Sequence, residues 1–157
     1  MFPLPPHDIL PRMKYDKSFK WRSAHSIHRL CYHIVWIPKY RRSVLRGKLC
    51  QRLSQLVYEA ARANKWFVHE FKLNEDHVHL MIQLPPTITV ARAVMILKGG
   101  TSKVVRQEYP ELEEFLWGDS LWQDGYFAET SGRIDEQALR EYIKRQWEQE
   151  PGISPAL

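Results

Sequence analysis

Two histidines beside an apolar stretch are the side chains of this chain best suited to hold a metal ion. His77 and His79 follow the polar turn Asn74-Glu75-Asp76 and lead into Leu80 and further apolar residues. Because successive side chains of a β-strand point to opposite faces, the pattern predicts that the two imidazoles share one face. Neutral imidazoles are common ligands of divalent ions, and two of them leave coordination positions open for a substrate. The alternative is a half-buried strand whose histidines only form hydrogen bonds.

A basic cluster is the second feature suited to chemistry, in this case to contact with phosphates. It follows Pro38 directly and consists of Lys39, Tyr40, Arg41 and Arg42. Lysine and arginine neutralise phosphates, and a nucleic-acid base can stack on the aromatic ring. A solvated strand end has the same composition, so both interpretations stay open at this point.

Two glycines interrupt an otherwise helical segment beside further candidate phosphate donors. Gly99 and Gly100 are flanked by Lys98 and Lys103, with two hydroxyl side chains between the glycines and Lys103. Each glycine inside a helix costs about 1 kcal/mol relative to alanine. That cost suggests close approach of a ligand to the backbone here; the alternatives are a kink or a tight contact between the helix and the sheet.

Near the C-terminal end, Tyr142 and Gln146 lie four residues apart on a predicted helix. This spacing places them on one face of the helix, one turn above the other. Leu139 and Ile143 supply the apolar stripe beside them. A tyrosine at the edge of such a stripe is usually a packing residue, and the spacing alone does not distinguish packing from catalysis.

The elements that position these residues follow from the hydrophobic periodicity. The sequence predicts strands over 29–37, 66–73, 77–84 and around Tyr126, and helices over 46–64, from Thr89 past the glycine pair, and from Asp135 to about Glu148. The first strand is apolar on both faces, which predicts a central strand, and the second and third are predicted to form an antiparallel hairpin. A predicted hinge, Ser131-Gly132-Arg133, precedes the last helix. This order of elements predicts an α+β fold with an antiparallel sheet covered by helices, of the ferredoxin-like or split βαβ kind.

Length and composition limit the class of protein. The 157 residues suit one domain with a real core, and 23 Lys+Arg against 18 Asp+Glu give a net charge of +5, which favours a partner with phosphates. Cys31 and Cys50 lack the spacing of a zinc site or a disulfide framework, so we expect reduced, structural thiols. No apolar run approaches the roughly 18 residues that span a bilayer, and no secretory signal begins the chain. We therefore expect a cytoplasmic protein without membrane partners.

Five motifs, taken in order, resemble one protein family. They are Tyr32-His33-Ile34-Val35-Trp36, Lys39-Tyr40-Arg41-Arg42, Asp76-His77-Val78-His79-Leu80, Leu97-Lys98-Gly99-Gly100-Thr101-Ser102, and Tyr142 with Gln146. The chain resembles the HUH single-tyrosine transposases, the TnpA-like transposases of insertion sequences that move as single-stranded DNA. The resemblance covers about residues 29–150. It implies a catalytic domain over 27–150. The four prolines in residues 1–26 and the lack of an apolar period there predict a flexible proline-rich leader, and residues 151–157 are a predicted tail.

The resemblance implies a reaction in which a tyrosine attacks a DNA phosphodiester and forms a 5′-phosphotyrosine link. Tyr142 matches this nucleophile. His77, His79 and Gln146 match the ligands of a Mg²⁺ or Mn²⁺ ion. Since a phenol with a pKa near 10 is a poor nucleophile at neutral pH, the reaction depends on a Lewis acid at the phosphate. Tyr126 is the competing tyrosine, and we predict a structural role for it because no polar partner lies one helical turn away.

The implied partners are single-stranded DNA hairpins and a second copy of the chain, in a homodimer with composite sites. The candidate DNA contacts are Lys39, Arg41, Arg42, Lys98 and Lys103. Three alternatives stay open. They are a domesticated relative acting on repeated palindromic sequences, a DNA-hairpin binding protein without catalysis, and a metal-dependent phosphoesterase that uses water in place of Tyr142.

Overall fold

A computed structural model describes residues 21–23, 25–39, 45–118 and 120–130 of the chain. Arg41, Arg42, Tyr142 and Gln146 lie outside these residues, as do the predicted hinge and the predicted last helix. The roles assigned to them above therefore stay predictions. Residues 1–20 of the predicted leader and the predicted tail over 151–157 lie outside the described residues as well.

The described residues form strands and helices in an alternating order. They are β1 (Trp21–Ser23), β2 (Ser26–His28), β3 (Cys31–Trp36), α1 (Gly47–Ala63), β4 (Phe67–Leu73), β5 (Val78–Gln83), α2 (Val90–Glu108), α3 (Leu112–Leu116) and β6 (Phe127–Thr130). Strands β1 and β2 pair with each other in a separate antiparallel hairpin. That hairpin begins inside the segment predicted as a flexible leader. Neither it nor α3 was predicted from the sequence.

The main sheet has four strands in the order β4-β5-β3-β6, and every neighbouring pair is antiparallel. Together with the helices that follow β3 and β5, this gives the βαββαβ order of a ferredoxin-like fold and confirms the predicted α+β architecture. Strand β3 lies at the centre, as its apolar residues on both faces indicated. A register shift between Val68 and Glu70 marks a β-bulge on the edge strand β4.

The two faces of the sheet differ in chemistry. Ile34 of β3 pairs with Leu80 of β5, and both belong to an apolar core that includes Leu53 of α1 and Leu97 of α2. Side chains of neighbouring positions point to the opposite face. That face carries buried polar side chains, among them His79. The helices thus pack against one face of the sheet. The polar side chains that could bind a ligand or take part in a reaction lie on the other face.

Helix α2 begins at a side-chain cap and continues through both glycines. The Thr89 hydroxyl accepts a hydrogen bond from the Arg92 backbone N–H at 3.1 Å, as expected for a helix N-cap. Gly99 and Gly100 are exposed, and a Cβ built on either one meets no atom within 4 Å. The glycine pair therefore does not mark a tight contact between the helix and the sheet.

Because the space around these glycines is open, substituting alanine is expected to stabilise the protein. Gly99→Ala and Gly100→Ala each raise the free energy of unfolding by about 0.5–1 kcal/mol, since alanine loses less backbone entropy on forming a helix. Thr89→Ala, which removes the cap, lowers it by about 1 kcal/mol. Urea denaturation measures all three variants. A loss of stability in both glycine variants contradicts the prediction.

Two further sequence expectations concern the cysteines and membrane association. Cys31 and Cys50 are free thiols, and both are buried. Burial raises the pKa of the Cys50 thiol, which favours its unreactive protonated form. Among the helices in the described part of the chain, none has the length and apolar character needed to cross a bilayer.

Candidate active site

His77 lies one residue before β5, at the end of the polar turn, and its ring is held at both nitrogens. Nδ1 lies 2.8 Å from a carboxylate oxygen of Asp76, and Nε2 lies 2.8 Å from the side-chain amide nitrogen of Asn74. The backbone N–H of Asn74 also donates to the His77 carbonyl oxygen at 2.9 Å. Since a carboxylate only accepts hydrogen bonds, Nδ1 carries the proton, and the Nε2 lone pair accepts a hydrogen bond from the Asn74 amide. Metal-binding histidines are commonly oriented in this way by a carboxylate.

His79 is the second residue of β5 and is only 8% exposed. It pairs with Val35 of β3 on one side and with Lys72 of β4 on the other. Burial lowers the pKa of His79, and the neighbouring His33 lowers it further, while the Glu70 carboxylate acts in the opposite direction. A lowered pKa keeps the imidazole neutral at physiological pH, which is the form that donates a lone pair to a metal ion.

His33 is a third histidine at this place, and its position next to His79 was not predicted from the sequence. The two rings stack with their centroids 5.6 Å apart and their planes at 26°. His33 is 7% exposed, and its Nδ1 has no hydrogen-bond partner among the residues that the structure describes. The alternation of side chains along β3 predicts the face of the sheet on which His33 lies. Only the register between β3 and β5 shows that His79 is next to it.

A carboxylate on the edge strand supplies negative charge near the two stacked histidines. Glu70 forms an ion pair with Lys72 at 2.6 Å. The hydrogen bond from Lys72 lowers the pKa of the Glu70 carboxyl and the charge of Lys72 lowers it further, against burial, which raises it. Glu70 therefore stays ionised at neutral pH, and its charge is paired with the Lys72 ammonium.

The described residues do not complete a metal site by themselves. Within them, no group of three or more histidine, cysteine, aspartate or glutamate side chains is placed to hold an ion. His77 and His79 are close enough for the charge of His77 to affect the pKa of His79. A metal ion bound by this pair would need a further ligand. The predicted one, Gln146, lies outside the described residues.

Of the predicted DNA contacts, Lys39, Lys98 and Lys103 are described, and they lie in different environments. Lys103 is exposed on α2, and Lys39 is partly buried just after β3. The Lys98 ammonium donates to the carbonyl oxygens of Gln123 at 2.7 Å and Gly125 at 2.8 Å. Burial lowers the pKa of Lys98, against the opposing charge of Asp124. Lys98 is thus engaged by the protein's own backbone.

A groove of about 500 Å³ runs between α2 and the segment that leads to β6. Its walls include Lys98, Ser102, Lys103 and Arg106 from the helix. The Arg106 guanidinium is held by the Glu113 carboxylate through hydrogen bonds of 2.7 and 3.0 Å. The groove is basic on balance, since Lys98, Lys103 and Arg106 outnumber the one carboxylate in its lining, Asp124, and it lies on the helix side of the sheet, whereas His79 lies on the opposite face.

Comparison with known proteins gives a consistent result. The family described as "Transposase IS200 like" matches residues 26–146. The ISDra2 transposase TnpA of Deinococcus radiodurans is 32% identical over 124 residues, which cover 79% of this chain and 89% of the relative. The transposase for insertion sequence element IS200 of Salmonella typhimurium is 27% identical over 127 residues, which cover 81% of this chain and 83% of the relative.

Two solved structures share the fold. A crystal structure of a Deinococcus radiodurans protein aligns with a TM-score of 0.75 at 25% identity, over 80% of this chain and 97% of the other. A REP-associated tyrosine transposase, solved bound to a REP hairpin, aligns with a TM-score of 0.51 at 12% identity, over 86% of this chain and 76% of the other. At 12% identity the second likeness concerns the fold alone.

Proposed function

The chain belongs to the family of IS200-like transposases, and from this premise we propose that it cuts and rejoins single-stranded DNA through a phosphotyrosine intermediate. Family membership makes it a DNA transposase and confirms the resemblance found in the sequence. The observation that carries the proposed chemistry is the imidazole pair. His77 is held by Asp76 so that its Nε2 is the unprotonated nitrogen, which accepts a hydrogen bond from the Asn74 amide, and His79 is kept neutral by burial.

In the proposed reaction the Tyr142 hydroxyl attacks the phosphorus of a DNA phosphodiester. A bond forms between the tyrosine oxygen and phosphorus, and the bond from phosphorus to the 3′ oxygen breaks. The phenol gives up its proton, and the departing 3′ oxygen takes one up as a 3′-OH. A 3′-OH of another strand can then attack the phosphotyrosine and release the tyrosine. Because the bond energy is stored in the covalent link, rejoining needs no ATP.

We propose that His77, His79 and Gln146 hold a Mg²⁺ or Mn²⁺ ion. The donor set fits such an ion in part, since the Nε2 lone pair of His77 would bind the ion in place of its hydrogen bond from Asn74, and burial keeps His79 neutral. Imidazole and amide-oxygen ligands suit Mn²⁺ somewhat better than Mg²⁺. When bound, the ion supplies Lewis-acid stabilisation of the charge on the phosphate and the leaving oxygen. The protein's part is to orient the two rings, through Asp76 for His77 and through burial for His79.

The contact between Asp76 and His77 predicts an effect on metal affinity. Asp76→Ala removes the carboxylate that orients the ring, so the Mn²⁺ concentration for half-maximal product is expected to rise about 10- to 100-fold. Glu75→Ala is the matched control. Its carboxylate is 69% exposed, and its 3.5 Å ion pair with Arg46 contributes little to stability. A titration of covalent product against Mn²⁺ measures both, and equal half-maximal concentrations contradict the role of Asp76.

The proposed substrate is a single-stranded DNA end folded as a hairpin, and the proposed assembly is a homodimer acting in the cytoplasm. The net charge of +5 and the basic groove beside α2 support a phosphate-rich partner. Lys39, Arg41, Arg42 and Lys103 are the proposed contacts. Lys98 was predicted as a fifth, but its ammonium is bonded to two backbone carbonyls.

One experiment separates this function from its alternatives. Hairpin DNA labelled at its 3′ end is incubated with Mn²⁺ or Mg²⁺, and the products are separated on a denaturing gel. A 5′-phosphotyrosine link retains the 3′ fragment, so the label is expected to move with the protein. A phosphoesterase that uses water releases labelled DNA without protein, and a catalytically inactive binding protein releases nothing. A domesticated relative also gives the covalent band. Size-exclusion chromatography distinguishes the two cases, because such a relative is expected to be a monomer and the proposed enzyme a dimer.

A further inference from the structure

The hydrogen bonds of Lys98 give this residue a different task from DNA contact. An ammonium group has three N–H donors, and Lys98 uses two of them on the carbonyl oxygens of Gln123 and Gly125. Asp124, between these two carbonyls, favours the charged form of Lys98. The side chain therefore joins α2 to the segment that precedes β6.

The same segment is fastened at three further points. The Trp122 indole N–H donates to the Thr101 hydroxyl at 3.0 Å. On the other side, the Lys39 backbone N–H donates to the Leu121 carbonyl at 2.8 Å, and the Gln123 N–H donates to the Ile37 carbonyl at 3.0 Å. We call residues 121–125 the clamped segment. It is held between the chain just after β3 and one face of α2, where Lys98 and Thr101 lie one turn apart.

The clamped segment sets the start of β6. Gly125 has a φ of +84°, a conformation that favours glycine, and it lies two residues before the first residue of β6. Strand β6 pairs with β3 so that Glu129 lies opposite His33, whose ring stacks on His79. The path from Lys98 therefore leads to the histidine face of the sheet.

We propose that Lys98 is a positioning residue, which fixes the clamped segment and thereby the start of β6 beside the histidine face. The inference rests on the proposed function, because the reaction is proposed to take place at that face. It differs from the role predicted from the sequence, in which Lys98 binds a DNA phosphate. If Lys98 binds a phosphate, its substitution weakens DNA binding and leaves the rate with saturating DNA unchanged. If Lys98 is a positioning residue, its substitution leaves DNA binding unchanged and slows the reaction.

The test compares Lys98→Met with Lys103→Met and with Gln107→Met, an exposed position on the same helix. Hairpin affinity is measured over a range of salt concentrations, and the rate of covalent product formation is measured with saturating DNA. Lys98→Met is expected to leave the affinity and its salt dependence within about twofold of wild type and to slow the reaction about 10- to 100-fold, as small misplacements of reacting groups do. Lys103→Met is expected to weaken binding and to reduce the salt slope by about one. Gln107→Met is expected to change neither.

The result that overturns the inference is a Lys98→Met protein with weaker, less salt-dependent binding and a normal rate at saturation. If Lys98→Met does not fold, Thr101→Val tests the same clamp by removing the acceptor of the Trp122 indole. It is expected to slow the reaction without changing affinity, and a normal rate counts against the clamp. Failure of the proposed function is seen separately, because the wild-type protein then gives no covalent product.

Discussion

Tyr142→Phe is expected to lower the yield of covalent protein–DNA product by a factor on the order of 10³ or more, because no other group replaces a removed nucleophile efficiently. Phenylalanine keeps the ring and removes only the hydroxyl, so hairpin affinity is expected to stay close to that of the wild-type protein. The measurement is the labelled band that migrates with the protein on a denaturing gel.

Tyr126→Phe is the control for this prediction. Tyr126 is partly buried and packs against the apolar core, next to the clamped segment. Its substitution is expected to leave the covalent product within about twofold of the wild-type yield, since phenylalanine preserves most of the packing. A band that survives Tyr142→Phe and vanishes with Tyr126→Phe identifies the other tyrosine as the nucleophile.

Loss of the histidine pair is expected to have the second largest effect. His77→Ala removes a proposed metal ligand from a ring that is only partly buried, so the fold is retained while product formation falls about 10²- to 10⁴-fold, the range that corresponds to several kcal/mol of transition-state stabilisation. His79→Ala is expected to give a similar loss together with a lower melting temperature, because this ring is buried. His25→Ala, at an exposed histidine outside the main sheet, is the control.

Chelation tests the same role without a substitution. EDTA is expected to abolish covalent product in the wild-type protein, and excess Mn²⁺ or Mg²⁺ is expected to restore it. The ion is expected to restore much less product in His77→Ala, since a ligand is missing. Full product formation in EDTA contradicts the role of the pair as metal ligands.

Long periodic segments allowed most of the fold to be predicted from the sequence. The predicted helix over 46–64 is observed as Gly47–Ala63, and the predicted hairpin of two strands is β4 and β5. The apolar residues on both faces of β3 correctly indicated the central strand. Helix α3 has five residues, and β1 and β2 have three each, so none is long enough to show a period.

The candidate site was predictable where chemistry depends on neighbours in the sequence. His77, its turn and His79 are one short stretch, so their position at the start of a strand could be predicted from the local pattern, while their role as a metal ligand pair stays a prediction. The contact between His33 and His79 depends on strand register, and the bond from Lys98 joins positions 25 residues apart. Neither contact can be predicted from the neighbouring residues in the sequence. A lysine beside two glycines, for example, has the same local sequence whether its ammonium binds a phosphate or a carbonyl oxygen.

The most direct test of the central claim is to locate the covalent link by mass spectrometry. Trypsin cuts after Arg140 and Lys144, which isolates Tyr142 in the peptide 141–144, whereas Tyr109 and Tyr126 lie together in the peptide 107–133. After reaction with hairpin DNA, trypsin and nuclease, the account predicts a nucleotide attached to Tyr142. A nucleotide on peptide 107–133, or DNA cleaved with no modified tyrosine, contradicts it.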